Sequence, residues 1–454
     1  LKTEPRRTTG RAQKKGIAMN NSRIRQLMAF LLAGAVSGYA GTVSAAGFAL
    51  IENSAQGMGN AFAGGGAVAE DASTLWFNPA SITRLPSQMQ GVVHYISPSF
   101  EFTDGGSTFP GGAIPGAPTN DGGEDAFVPN FYYIRALNER WSFGLAVNAP
   151  FGLRTEYDNN WTGRYHALES EIVDLNVNPA LAWKVNEVFS VGFGVSLNYI
   201  DATLNNAVDF GLIAGGPGAA GTADGFTENT ADDISFGFNF GFFYEPNERT
   251  RYSMAYRSQI NHKLEGDAVF TGVPAPLDPF FFNDGISVGA SLPDTFSLSA
   301  FHLLTPMVGL MADATWTGWS EIPELRIVYD NPANAGGAGT AVEPLGWKNA
   351  WRLSLGLNYY QSSRLTLRTG VAYDQSPVPN PVQRTPRLPD NDRVWLSVGA
   401  SYHINEKITA DFGYSHLFID DTNIARTNNL GATLVGTYES SADIFSLGIN
   451  YYFD

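Results

Sequence analysis

The chain has 454 residues, a formal net charge of −16, 49 glycines, 13% aromatic residues and no cysteine. Charged residues reach only 16%, against about 25% in an average soluble protein, and the aromatic load excludes a disordered chain. Zero cysteine excludes disulfides, thiolate metal sites and cysteine nucleophiles. The acidic balance argues against nucleic acid as a partner, and a mean hydropathy of −0.12 excludes a bundle of apolar helices of about 20 residues each. What remains is an aromatic-rich, low-charge β protein, either soluble or a membrane barrel.

Residues 1–18 form an extension upstream of the native start, because Met19 opens a complete secretory signal over 19–45. Arg23 and Arg25 supply its positive region, Leu27 to Tyr39 its apolar stretch, and Val43-Ser44-Ala45 a small-residue cleavage site. Cleavage there starts the mature chain at Ala46 and leaves a body more acidic than the whole, since the leader's charges are mostly basic.

Residues 46–87 show no sustained period of two, and Gly57, Gly59, Gly64, Gly65 and Gly66 prevent a long helix. Short helical turns are expected near 53–62 and 71–75, with Asn78-Pro79 as a breaker. A small-residue, barely charged segment that carries Phe48, Leu50, Phe62, Leu75, Trp76 and Phe77 suits a plug inside a barrel, a hatch, better than a flexible arm.

From residue 88 to 454 the sequence alternates with period two. Trp351, Leu353, Leu355, Leu357 and Tyr359 oppose Arg352, Ser354, Gly356 and Asn358, and Phe236 to Tyr244, Val394 to Ile404 and Phe445 to Phe453 repeat the pattern. The polar face is Gly, Ser and Asn rather than the Lys, Glu and Thr of a sandwich strand facing bulk water. The other face is aromatic and branched throughout, as lipid contact requires. Unpaired edges are not tolerated in hydrocarbon, so closure follows.

Fourteen strands are predicted near 88–102, 126–137, 141–150, 169–184, 188–203, 231–245, 250–266, 291–303, 307–320, 347–360, 364–374, 392–404, 407–419 and 438–453. Seven long connections alternate with six short ones, which puts the fold class as an all-β, 14-stranded antiparallel transmembrane barrel with an N-terminal hatch and both termini on the periplasmic side.

Enzymatic motifs are missing from the sequence. Its six histidines, at 94, 166, 262, 302, 403 and 416, have no metal-ligand spacing, and no GxSxG or P-loop occurs in the right context. An outer-membrane lipid-modifying enzyme, or an adhesion barrel with a sealed lumen, stand as alternatives to transport.

Several stretches resemble the FadL/TodX family of outer-membrane long-chain fatty-acid and hydrocarbon transporters. They include Ala46-Gly47-Phe48, the glycine run ending at Ala72, Asn78-Pro79-Ala80, Phe151 to Trp161, Arg251 to Ser258, Trp347 to Gly356, Leu367 to Pro379, and Pro389 onward to Ser397. The resemblance implies passive, non-enzymatic uptake of long-chain fatty acids or hydrocarbons and no cofactor. It further implies lateral exit at a kink in the third strand, which here matches Asn148-Ala149-Pro150 and Gly152; proline removes a ladder donor there, or simply ends the strand. Lys348 resembles the family's interior lysine, or is a solvated strand-end residue. Arg352 and Arg368 face the lumen by alternation and either line the path or pair with carboxylates. The fifth strand lacks the second basic ligand that family members can carry, which leaves room for an uncharged substrate. The expected surroundings are outer-membrane lipid and lipopolysaccharide, with the barrel-assembly machinery as partner, for a monomeric chain that binds no nucleic acid.

Overall fold

The computed structural model describes residues Gly47–Phe453; the expected extension and signal peptide lie outside the described residues. Among these, fourteen antiparallel strands close into a barrel. We number them β1 Gln88–Asp104, β2 Ala126–Ala136, β3 Trp141–Asn148 continued by Gly152–Glu156, β4 Glu169–Lys184, β5 Phe189–Asp209 and β6 Asp224–Asn247. Then follow β7 Thr250–Arg257 with Ile260–Thr271, β8 Asp284–Leu292 with Thr295–Thr305, β9 Val308–Thr317 with Glu324–Tyr329 and β10 Thr340–Pro344 with Ala350–Tyr360. The last four are β11 Leu365–Asp374, β12 Arg393–Asn405, β13 Ile408–Ile419 and β14 Thr433–Tyr452. Closure is the β1–β14 ladder, which runs unbroken from Gln88↔Tyr452 to Asp104↔Gly436.

The alternation assigns the faces correctly. Leu353, Leu396 and Leu447 are 50%, 51% and 59% exposed, while Ser354, Ser397 and Ser446 are buried. A row of outward aromatics, Phe240, Tyr256, Phe296, Trp316 and Trp351, lies in direct register across β6 to β10. It fits the upper girdle of a spanning barrel. Tyr359 lies eight residues below Trp351 on β10, a span that suits the hydrocarbon band.

Several strands are longer than the sequence suggests. β5 and β6 stay paired up to Asp209↔Asp224, and β7 and β8 from Ile260↔Leu292 to Ala268↔Asp284. Above the girdle both faces carry polar residues, such as Asn205, Asn206, Glu228 and Asn229, so the chemical alternation fades although the ladder does not.

Residues 47–86 carry two single-turn helices, α1 Ala55–Met58 and α2 Thr74–Phe77, and a 3-10 turn at Pro79–Arg84. Asn78 caps that turn, its Oδ1 accepting from the Ala80 N–H at 2.9 Å, while its Nδ2 donates to the Phe242 carbonyl of β6 at 2.9 Å. The segment touches inner-face groups on many strands. A Cβ built on Gly399 of β12 would lie 2.6 Å from Gly59, and one on Gly192 of β5 would lie 2.4 Å from the Ala80 nitrogen.

Candidate functional site

The third strand breaks where Pro150 stands. Asn148 pairs with Asn176 of β4, and pairing resumes at Gly152↔Val173, so three residues of β3 oppose two of β4. The β2–β3 ladder runs only from Phe131↔Val147 to Ala136↔Ser142. Among the described residues, Ala126–Asn130 therefore have no ladder partner on β3. An isolated bridge from Gly123 to Thr155 closes the break above.

The start of the described chain lies against this break. The Leu50 N–H donates to the Pro150 carbonyl at 2.7 Å, and the Gly152 N–H donates to the Phe48 carbonyl at 2.9 Å. Asn130 donates to the Glu52 carbonyl at 2.8 Å and Tyr132 to that of Asn53 at 2.6 Å, while Asn148 Nδ2 donates to Asn53 Oδ1 at 2.9 Å. The Pro150 carbonyl and Gly152 N–H at the kink thus find partners on residues 50 and 48, as buried polar groups must, and the neighbouring inward side chains bond to residues 52 and 53. Phe48 itself packs among Phe151, Trp319 and Trp347 at ring separations of 5.7, 5.2 and 5.9 Å.

Behind Phe48 opens a cavity of about 540 Å³. Leu153, Ile200, Leu264, Ile286, Ile327 and Trp347 give it a mostly apolar wall, with Asn229, His262, Glu343 and Arg387 as its inward polar groups. A second cavity of about 500 Å³ lies among the outer loops, with Val208, Ile213, Phe270 and Phe281 on its wall. Arg387 and Glu343 border both. The Glu343 carboxylate sits 3.5 Å from Arg387 Nε and 3.3 Å from Arg426 Nη2. Burial works to raise its pKa, but the two guanidinium groups of Arg426 and Arg387 win and hold it below the usual carboxylate range. Arg387 is also tied down by donating to Ser170 Oγ at 2.9 Å and Asn206 Oδ1 at 3.2 Å.

The residues singled out by sequence are placed differently from one another. Asn148, Ala149, Pro150 and Gly152 form the break. Asn78, Pro79 and Ala80 make the turn that meets β5 and β6. Arg352 and Arg368 do face inward and are buried, yet neither lines the cavity. Arg352 donates to the Ala61 carbonyl at 3.0 Å and lies 4.0 Å from Asp374; Arg368 donates to Ser401 Oγ at 2.5 Å and sits 3.5 Å from Glu70. Both hold residues 61–70 instead. Lys348 is exposed and outside the cavity wall, whereas its neighbour Trp347 is buried in that wall. Residues 345–349 leave the β9–β10 ladder, so strand parity no longer fixes where position 348 points. Arg387, Arg426 and Glu343 were missed by sequence reasoning; a hint was the pair of arginines at 384 and 387 in an otherwise uncharged loop stretch.

The family described as "Outer membrane protein transport protein (OMPP1/FadL/TodX)" matches residues 36–453. A long-chain fatty acid transport protein of Escherichia coli O6:H1 is 30% identical over 435 residues, covering 89% of this chain and 94% of that protein. Outer membrane protein P1 of Haemophilus influenzae is 28% identical, covering 93% and 98%. Among solved structures, a Pseudomonas aeruginosa FadL homologue superposes with a TM-score of 0.82 at 27% identity, covering 90% of this chain and all of that one. The Pseudomonas putida toluene transporter TodX shares the fold, with a TM-score of 0.66 at 16% identity over 90% of this chain and 100% of its own. With a continuous match across the barrel and a common architecture, the chain belongs to the OMPP1/FadL/TodX family of outer-membrane transport proteins and is a multi-pass β-barrel of the Gram-negative outer membrane.

Proposed function

We propose that this protein takes up long-chain fatty acids or similar hydrophobic molecules passively, holding them in the apolar cavity behind Phe48 and releasing them sideways at the third-strand break. The observation that carries the reading is the cavity's end: Phe48 and Leu153 line it, and the backbone of Phe48 is bonded to Gly152 of the break. The cavity lies within the range of small-molecule sites. Release to periplasmic water would cost about 0.8 kcal/mol per CH₂, roughly 12 kcal/mol for a chain of about 16 carbons. A gap in the wall at hydrocarbon depth avoids that cost.

In this reading residues 46–87, freed from the signal peptide after Ala45, are the hatch that fills the lumen, and Asn78-Pro79-Ala80 pin it to β5 and β6. Arg352 and Arg368 hold the hatch rather than substrate. Lys348, beside cavity-lining Trp347, meets an anionic head group outside the cavity. The barrel works as a monomer in a lipopolysaccharide leaflet and reaches it through the barrel-assembly machinery.

The test is a cysteine pair, Ala49→Cys with Phe151→Cys, at positions that form an isolated antiparallel bridge. Opposed residues of such a pair lie about 4.5–5.5 Å apart, within disulfide reach, and the chain has no other cysteine. Oxidation should abolish uptake of labelled oleate, and reduction should restore it. Uptake equally fast with the bond formed would eliminate exit at β3.

A further inference from the structure

The wall is broken a second time, between β8 and β9. Their ladder runs up to Thr295↔Thr317 and resumes only at Val288↔Ile327. In between, among the described residues, Gly289–Pro293 have no partner on β9, while residues 318–323 leave the strand as a 3-10 turn at Trp319–Glu321. The Gly318 N–H, donating to the Asp294 carbonyl at 2.9 Å, closes the gap below. Five unpaired residues at strand rise make an opening roughly 16 Å long. On the β7 side the ladder continues past the gap, from Ile260↔Leu292 to Ala268↔Asp284; on the β10 side the ladder pauses at residues 345–349, where the Leu345 N–H still donates to the Pro323 carbonyl at 2.9 Å.

The cavity extends into this gap. Its wall includes inward Leu264 and Val288, but also Lys263, Ser291, Arg326 and Val328. Lys263 and Arg326 are exposed and Val328 is 38% exposed, on the outer face of the same strands. A Cβ added to Gly289, at the edge of the gap, would meet no atom within 4 Å. A single space touched by both faces of three adjacent strands is a hole through the wall.

Its height and chemistry indicate what it admits. Phe296 and Trp316, paired with each other in the outer aromatic row, lie one residue beyond Thr295 and Thr317 at the lower edge of the gap. The opening therefore begins where hydrocarbon gives way to head groups. The rim is polar and bears two ion pairs, Lys263–Glu265 at 3.0 Å and Arg326–Glu324 at 2.7 Å, whereas the space behind it is lined mostly by apolar side chains. A polar rim at the interface over an apolar interior matches one molecular shape, an acyl chain with its head group left outside.

We infer that the β8–β9 gap is a second mouth of the cavity, through which the acyl chain of an amphiphile already dissolved in the outer leaflet slides in from the membrane side. The inference rests on the cavity being the transport site, but it concerns loading rather than release. A chain that enters here stays out of water throughout, so the transfer cost of returning CH₂ groups to solvent does not arise.

The experiment uses the full-length protein in lipid vesicles, with one cysteine introduced on the cavity wall by Leu264→Cys. The probes are N-hexadecylmaleimide, which resides in the bilayer, and N-ethylmaleimide, which comes from water. Gly289→Trp and Ser291→Trp, each in the Leu264→Cys background, narrow the mouth; folding of each is checked by heat-shifted gel mobility. In a folded narrowing variant the long-chain maleimide should react at least tenfold more slowly, while N-ethylmaleimide reacts at an unchanged rate. Equal long-chain labelling with and without the tryptophan, in whichever variant folds, overturns the mouth. Slower labelling after lipid A is added to the vesicles would assign the entering chain to lipopolysaccharide; slower labelling after added oleate but not after lipid A would assign it to free fatty acid. Because cavity access is read instead of oleate uptake, this result stands or falls separately from the β3 crosslink.

Discussion

Asn78→Ala is the sharpest perturbation of the segment proposed as the hatch. The side chain is fully buried and makes two hydrogen bonds, one within the turn and one to the β6 wall. Losing both removes about 1 kcal/mol each, and the buried Ala80 N–H left without its acceptor adds roughly 1–3 kcal/mol. The sum, about 3–5 kcal/mol, falls on docking of the segment and not on the barrel ladders, which Asn78 does not join. Local opening of residues 79–85 should then become about 100-fold or more easier, since 1.4 kcal/mol is a factor of ten. Hydrogen exchange in detergent micelles reads this directly, at the amides of Ser81 and Leu85, while the β6 ladder amides keep their protection. Gly192→Ala attacks the same turn from the wall, where the new Cβ would stand 2.4 Å from the Ala80 nitrogen and 2.5 Å from the Pro79 carbonyl carbon; overpacking of this kind costs about 1–3 kcal/mol. If exchange at Ser81 and Leu85 is unchanged in both variants, the turn does not anchor the segment and the reasoning fails.

Two further outcomes follow from the site. Phe48→Ala empties the ring cluster with Phe151, Trp319 and Trp347 and should weaken docking at the third-strand break by about 3–5 kcal/mol, seen as faster exchange of the Leu50 and Gly152 amides; unchanged exchange there would show that the backbone bonds alone hold the contact. Acid should loosen the outer loops, because burial lowers the pKa of His166 to about 4 from an ordinary 6.5, so its neutral form contributes roughly 3 kcal/mol above pH 6.5 that is lost as pH falls toward 4. Glu343, held below the usual carboxylate range, loses its own contribution further down. Proteolytic nicking of loop 157–168 should rise between pH 6.5 and 4 in the parent and much less in His166→Gln, and parallel curves would refute the assignment.

The sequence was most legible where lipid imposes one face on each strand. Phe236 and Phe238, or Leu396 and Val398, are outward because nothing else tolerates hydrocarbon contact, and the same logic turned Arg352 and Arg368 inward. It could not say what would meet them there. The partner of Arg352 is a backbone carbonyl of Ala61, 291 positions away, and a carbonyl leaves no mark in a sequence. Pro150 announced the β3 break because proline removes a ladder donor. The β8–β9 break was hidden: Trp319 lies on the inner face that alternation from outward Trp316 already gives it, and only the turned backbone shows that the strand stops at Thr317. Lys348 was singled out by resemblance and not by periodicity, and because residues 345–349 leave the ladder, alternation could not say where its side chain points.

The inner-face glycines tie composition to this arrangement. Glycine in a strand interior costs about 0.5–1 kcal/mol against alanine, so a barrel around an open water channel has reason to replace it. Here a Cβ on Gly370 would lie 2.2 Å from the Asn60 carbonyl carbon, and one on Gly399 would lie 2.6 Å from the Gly59 Cα. At both places backbone approaches backbone, at a distance no other residue permits. The strand cost is therefore offset only if residues 59 and 60 are docked against β11 and β12, as the proposed hatch requires. A small, polar inner face is in that case less a property of the pore than the imprint of the segment lying against it.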